Sequence, residues 1–226
     1  MDSDAVEGTG PSSDRSTDPS PNRDSGPGTD PDSGPGTDPG TPVRARSRPD
    51  VVLIGPPGSG KTTVGRAVAD LLGCELRDTD AAIEASVGHS ISDIFVYDGE
   101  PRFRELERAE VVSSLASHRG VLSLGGGAVM DPVAATALAG HTVVFLDVGI
   151  ADAAKRVGFS QSRPLLAMNP RAQWNRMMDV RRPTYERLAS FSVLTTGRTP
   201  RDIAAEIVQR LGQRRPETDR TGDTSG

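Results

Sequence analysis

Residues 50–73 read "DVVLIGPPGSGKTTVGRAVADLLG", and this stretch settles the architecture. Val51, Val52, Leu53 and Ile54 form an unbroken apolar run, the pattern of a parallel strand buried on both faces. Gly55 to Thr62 then match GxxxxGKT, the P-loop pattern, at every fixed position. Beyond Thr62, Val64, Val68, Leu71 and Leu72 recur at helical spacing, and Gly73 suits a helix end. The motif therefore sits between a strand and a helix, the context its chemistry requires. Its glycines let successive N–H groups point at phosphate oxygens, and the helix adds its positive end. Gly58, Ser59, Gly60, Lys61, Thr62 and Thr63 are the expected ATP-binding residues. Lys61 is one of only two lysines in the chain and stands where the β- and γ-phosphates need neutralising; the Thr62 hydroxyl is a ligand for Mg²⁺. A glycine-rich turn that merely joins strand to helix is the bland alternative.

One segment later comes "RDTD" (77–80). If "CEL" (74–76) is the second strand, Asp78 and Asp80 lie at the carboxyl edge of the sheet, where ligands of open α/β folds bind. Alternation in an extended chain would turn both carboxylates into one cleft. Mg²⁺ needs hard oxygen ligands and an acceptor hydroxyl needs a base, one acid for each task. A helix N-cap is the competing reading. In "ISDIFVYDGEPRFRELE" (91–107), Arg104 and Glu107 are three apart on a helix, so the acid can hold the guanidinium. With Phe95 and Phe103 nearby, that arginine suits a small ring bearing a carboxylate; a solvated charged face is the alternative. "GVLSLGGGAV" (120–129) reads as a third buried strand followed by three glycines, which permit close approach of backbone to ligand.

Taken together, GxxxxGKT, "DTD", "DGEPRFRELE", "LGGGAV", "RPLL" (163–166) and "RRPTY" (181–185) resemble the shikimate kinase family across residues 50–211. The resemblance implies Mg²⁺ at Thr62 and, through water, at Asp78, with one ion per site. It implies that Asp80 meets the acceptor hydroxyls as the catalytic base. Arg104, Gly126, Gly127 and Arg181 would hold the acceptor, with Phe95 and Phe103 beside it and Glu107 behind Arg104. Arg163 would reach the transferred phosphoryl group from a mobile lid, acting with Lys61. Arg156 and the loop "TTGRTP" (195–200), Arg198 included, would border the adenine. The reaction implied is transfer of the ATP γ-phosphoryl to the 3-hydroxyl of shikimate. Two departures stand out: the lid entry "GFSQS" is not the small polar run of the family, and Leu194 replaces an expected aspartate.

The remaining chain agrees with an α/β, three-layer α/β/α P-loop fold of the nucleoside-monophosphate-kinase type with a five-stranded parallel sheet. "GHTVVFLDV" (140–148) and "SFSVLTT" (190–196) are the fourth and fifth strands, with helices over 150–157, 170–187 and 200–212. "FSQSRPLLAMNP" (159–170) lacks periodicity and reads as the lid, which would exclude water from the donor. Trp174, the only tryptophan, follows it and is either a reporter of lid motion or a core residue.

The domain occupies 49–212. Residues 1–48 hold nine acids, five arginines and no aromatic residue, and repeat "DSGPGTDP" at 24–31 and 32–39. With 213–226 they read as disordered tails that cannot bury enough apolar surface to order themselves. The tail carries −4 of the formal charge of −5, so no basic face remains for nucleic acid. No apolar run suits a membrane span, and one cysteine excludes an internal disulfide. The expectation is a cytoplasmic monomer. Another small-molecule kinase, for instance of gluconate, and a nucleotide-binding regulatory module are the alternative functions.

Overall fold

The computed structural model describes residues 48–157 and 169–214. The tails outside these bounds and residues 158–168, which include most of the expected lid and Arg163, lie outside the described residues. Five strands, β1 (Val51–Ile54), β2 (Leu76–Asp78), β3 (Val121–Ser123), β4 (Val143–Asp147) and β5 (Phe191–Leu194), form one parallel sheet in the order β2-β3-β1-β4-β5. Helices α1 (Lys61–Leu72), α2 (Thr79–Val87), α3 (Ile91–Tyr97), α4 (Gly99–Ser117), α5 (Pro132–Ala137), α6 (Ile150–Val157), α7 (Pro170–Leu188) and α8 (Pro200–Arg214) complete it, with a 3₁₀ turn at Ala128–Met130.

The layers follow from strand alternation. Val52, Ile54, Leu122, Leu124, Val143 and Phe145 face one side, against Val111 and Leu115 of α4 and Trp174, Met178 and Tyr185 of α7. Val51, Leu53, Val121, Val144, Leu146 and Val193 face the other, against Val64 and Val68 of α1 and Ile203 and Ile207 of α8. Both faces are covered at the centre of the sheet, where β1, β3 and β4 are buried throughout or nearly so, while the edge strands β2 and β5 keep exposed positions. Each apolar side chain so covered contributes about 1.5–3 kcal/mol on burial. A third cluster, Ile83, Ile94 and Phe103, joins α2, α3 and α4 outside the sheet.

The second strand lies two residues beyond its expected place. Glu75 still accepts the Val121 N–H at 2.9 Å, but the ladder pairs Leu76, not Cys74, with Val121. Just before β3, Gly120 is at φ 101°, outside the extended region, and a Cβ there would stand 2.4 Å from the Glu75 carbonyl. With β3 and β4 flanking β1, the loop after β1 opens where the connections leave in opposite directions, the crevice that α/β sheets use for ligands.

Candidate active site

The phosphate loop wraps residues 55–60, with left-handed φ at Gly58 (82°) and Gly60 (90°). Lys61 lies back along it, donating to the carbonyls of Gly55 (2.9 Å) and Pro56 (3.2 Å). Arg156 of α6 donates to the carbonyls of Gly58 and Ser59 and, across the opening, to Oγ1 (3.2 Å) and the carbonyl (2.9 Å) of Thr195. It thus ties the loop to the "TTGRTP" segment. That segment is also fixed to α6, since Gly149 N–H donates to Thr196 Oγ1 and Gly197 N–H to Asp152 Oδ2, both at 2.9 Å. Arg198 turns toward α8, bonding Glu206 Oε2 at 2.6 Å and the carbonyls of Leu194 and Asp202. Thr63 is exposed on the first turn of α1.

Asp78 does two jobs at once. Its Oδ1 accepts the N–H groups of Asp80 (3.1 Å) and Ala81 (3.4 Å), capping α2. Its Oδ2 accepts the hydroxyls of Thr62 (2.7 Å) and Ser123 (3.0 Å). The cap and the oxygen cluster are therefore one residue, not rival readings. The alternation expected to turn Asp78 and Asp80 into one cleft does not operate, because the chain enters α2 at Thr79. Asp80 reaches the cleft from the first helical turn instead.

The three glycines after β3 are each in close contact with a different neighbour. A Cβ on Gly125 would lie 2.5 Å from Asp80 Oδ1 and 2.7 Å from Glu107 Oε1; on Gly126, 3.2 Å from Pro57; on Gly127, 2.6 Å from Arg104 Nη1. The segment thus gathers the base candidate, the arginine and the phosphate loop around bare backbone. Thr79 Oγ1, fully buried, accepts the Gly125 N–H at 3.0 Å. The Gly126 carbonyl accepts Arg181 (3.1 Å) and the Tyr185 hydroxyl (2.5 Å), which brings α7 onto the same segment.

Arg104 donates to Glu107 at 2.7 Å, as the spacing predicts, and its other edge to Glu100 Oε1 through Nε (3.1 Å) and Nη2 (2.9 Å). Its guanidinium lies 5.2 Å from the centre of the Phe103 ring. Phe103 itself is core, packed on Phe95 with centroids 4.8 Å apart. Glu107 is 3 % exposed. Burial pushes its carboxyl up, against the opposing pull of Arg104 and then Arg181. A raised carboxyl loses its charge at a higher pH than an ordinary glutamate. The Arg104 clamp should then loosen early on acidification: acceptor KM should rise as pH falls through that raised value. The profile should flatten in Glu107→Gln, with ATP KM unaffected; parallel profiles in parent and variant would refute the assignment. The stability sign is opposite. Glu107 favours the fold most below its unfolded value, and that contribution is lost as pH rises through the folded one.

Trp174 is 6 % exposed in the core, and its indole N–H donates to the Pro57 carbonyl at 3.3 Å. Of the two expectations for it, the core reading is met, with an added contact to the phosphate loop that neither included. Sequence reasoning also passed over Ser123, Thr79, Gly125, Glu100 and Tyr185. Two of them carried a signal: Gly125 as the first of three glycines, and Glu100 as a charge four residues before Arg104. Among the described residues no cluster of three or more His, Cys, Asp or Glu could hold a metal, and no helix is long and apolar enough to cross a membrane.

A parallel sheet between helices, a phosphate loop at its central strand and an acid-bearing edge beside it define a P-loop ATP-dependent phosphotransferase. The family model "Shikimate kinase" matches residues 57–212, and the chain belongs to the shikimate kinase family. It is 55 % identical over 163 residues to the shikimate kinase of Salinispora arenicola, covering 72 % of this chain and 98 % of that one. With the shikimate kinase of Thermobifida fusca it shares 54 % over 165 residues, 73 % of this chain and 96 % of that one. Among solved structures, shikimate kinase from Acinetobacter baumannii in complex with shikimate superposes with a TM-score of 0.69 at 33 % identity, covering 75 % of this chain and 95 % of that one.

Proposed function

We infer that the protein transfers the γ-phosphoryl group of ATP to the 3-hydroxyl of shikimate, giving shikimate 3-phosphate and ADP. The observation that carries this reading is the assembly around Gly125–Gly127. There a carboxylate base candidate (Asp80) and a buttressed arginine (Arg104) meet one segment that also touches the phosphate loop. A hydroxylated ring with one carboxylate fits such a pair. Arg104 and Arg181 hold the anion, Asp80 orients the hydroxyl and accepts its proton, and the oxygen attacks the γ-phosphorus as its bond to the bridging oxygen of ADP breaks. Lys61 neutralises the phosphates and Arg156 with the Thr195 loop borders the adenine. Arg163, by family resemblance, would stabilise the phosphoryl in flight.

The hydroxyls of Thr62 and Ser123 and Oδ2 of Asp78 form a hard-oxygen set suited to Mg²⁺. Thr62 and, through water, Asp78 would hold one ion, which supplies charge neutralisation to the phosphates. The protein is read as a monomer, and ATP as donor fits the cytoplasm.

An ADP-release assay across an acceptor panel tests the reaction, with turnover on shikimate expected and turnover on gluconate alone refuting it. The carboxylate grip is tested by a cycle. Arg104→Lys keeps charge but loses the planar fork, and should cost acceptor affinity tenfold or more, since a charge-assisted bond is worth about 1.5–3 kcal/mol. Shikimate carboxamide should be poor with the parent and lose little further in Arg104→Met. Simple addition of the two penalties would show that Arg104 is not the carboxylate's partner.

A further inference from the structure

Six carbonyls line the phosphate loop, and each has a donor. Gly55 and Pro56 take the Lys61 ammonium, and Pro56 also takes the Ser59 N–H at 3.2 Å. Gly58 and Ser59 share Arg156 Nη1, and Gly60 accepts Val64 N–H at 2.8 Å. The Pro57 carbonyl takes the Trp174 indole N–H, which comes from α7, 117 residues along the chain.

This one contact has a directional consequence. In a trans peptide the carbonyl and the N–H point opposite ways. Fixing the Pro57 oxygen toward Trp174 therefore aims the Gly58 N–H away from α7. Pro56 and Pro57 lack N–H groups, so the anion site draws on the few donors from Gly58 onward. Gly58, at φ 82°, is free enough for that peptide to turn over. Were it to do so, a carbonyl would face the phosphates in place of a donor. The indole also sits where it can hold without moving, buried in the apolar cluster that α7 shares with the sheet.

We propose that Trp174 is a positioning residue for the nucleotide: its N–H locks the Pro57–Gly58 peptide in the orientation that presents Gly58 N–H to the phosphates. This rests on the reading that the loop binds ATP. The same helix carries Arg181 to Gly126, so one element braces both substrate loops, but only the Trp174 bond acts on the donor side.

The test replaces Trp174 with β-(3-benzothienyl)alanine, which keeps the ring shape and puts sulfur where the N–H was. Calorimetric titration should show ATP bound about threefold to tenfold more weakly, the range for one lost neutral hydrogen bond. Shikimate affinity should stay at the parent value. In steady state, Trp174→Phe should raise KM for ATP with kcat retained. Unchanged ATP affinity in the isostere, or equal losses for both substrates, would overturn the proposal in favour of a packing role. A parent protein that bound no ATP would instead remove the functional reading itself.

Discussion

Asp80→Asn is expected to lower turnover by about 10²–10⁴-fold, the usual contribution of a positioned general base, while leaving ATP affinity unchanged. The amide keeps the shape of the carboxylate, and its oxygen can occupy the place of Oδ1 against Gly125. What it loses is the capacity to take the acceptor's proton. Asp78→Asn is the informative contrast. Asn caps helices about as well as Asp, so α2 should stay in place while the oxygen set with Thr62 and Ser123 loses its negative charge. That variant should need more Mg²⁺ for half-maximal rate. If both variants showed the same magnesium dependence with equal turnover losses, the division between a metal acid and a proton acid would be wrong.

Gly125→Ala is the second large effect expected. The added methyl group would meet two carboxylate oxygens at 2.5 and 2.7 Å, well inside contact distance. Glu107 has little room to retreat, being buried and bound to Arg104, so Asp80, Glu107 or the segment itself must shift. A displacement of about 1 Å at a reacting group costs on the order of 10²-fold. Turnover should fall by that order and acceptor KM should rise, with nucleotide affinity retained. Gly212→Ala, where nothing stands within 4 Å, is the control that should match the parent. Parent-like kinetics in Gly125→Ala would mean that Asp80 and Glu107 do not need their observed separation.

How far the sequence carried this reading depended on whether the cause was local. The phosphate loop was legible because its strand, glycines and helix are contiguous. Arg104 and Glu107 were legible because helix geometry alone makes them neighbours. The Asp78–Asp80 argument assumed extended chain at Thr79, where a capped helix begins. Ser123 was hidden because a serine closing a strand has no pattern, and it gains meaning only when β3 pairs with β2 and brings it to Asp78, 45 residues away. The contact of Trp174 with Pro57 was hidden for the same reason. Its partner is a backbone carbonyl, which every residue possesses. Glu100 was visible as a charge four residues before Arg104 but went unused, although it satisfies the edge of the guanidinium that Glu107 leaves open.

The strand order has a consequence for the making of the molecule. β1 and α1 leave the ribosome early, yet β1 is the centre of the sheet and pairs only with β3 and β4. At about 5–20 residues per second, β3 follows after several seconds. The apolar strip of α1, Val64 and Val68, waits longer still, because it is closed by Ile203 and Ile207 of α8. Throughout that interval the nascent chain presents its most hydrophobic strand and a bare helix face to solvent. Translation that halts short of Pro200 leaves that helix face without its cover.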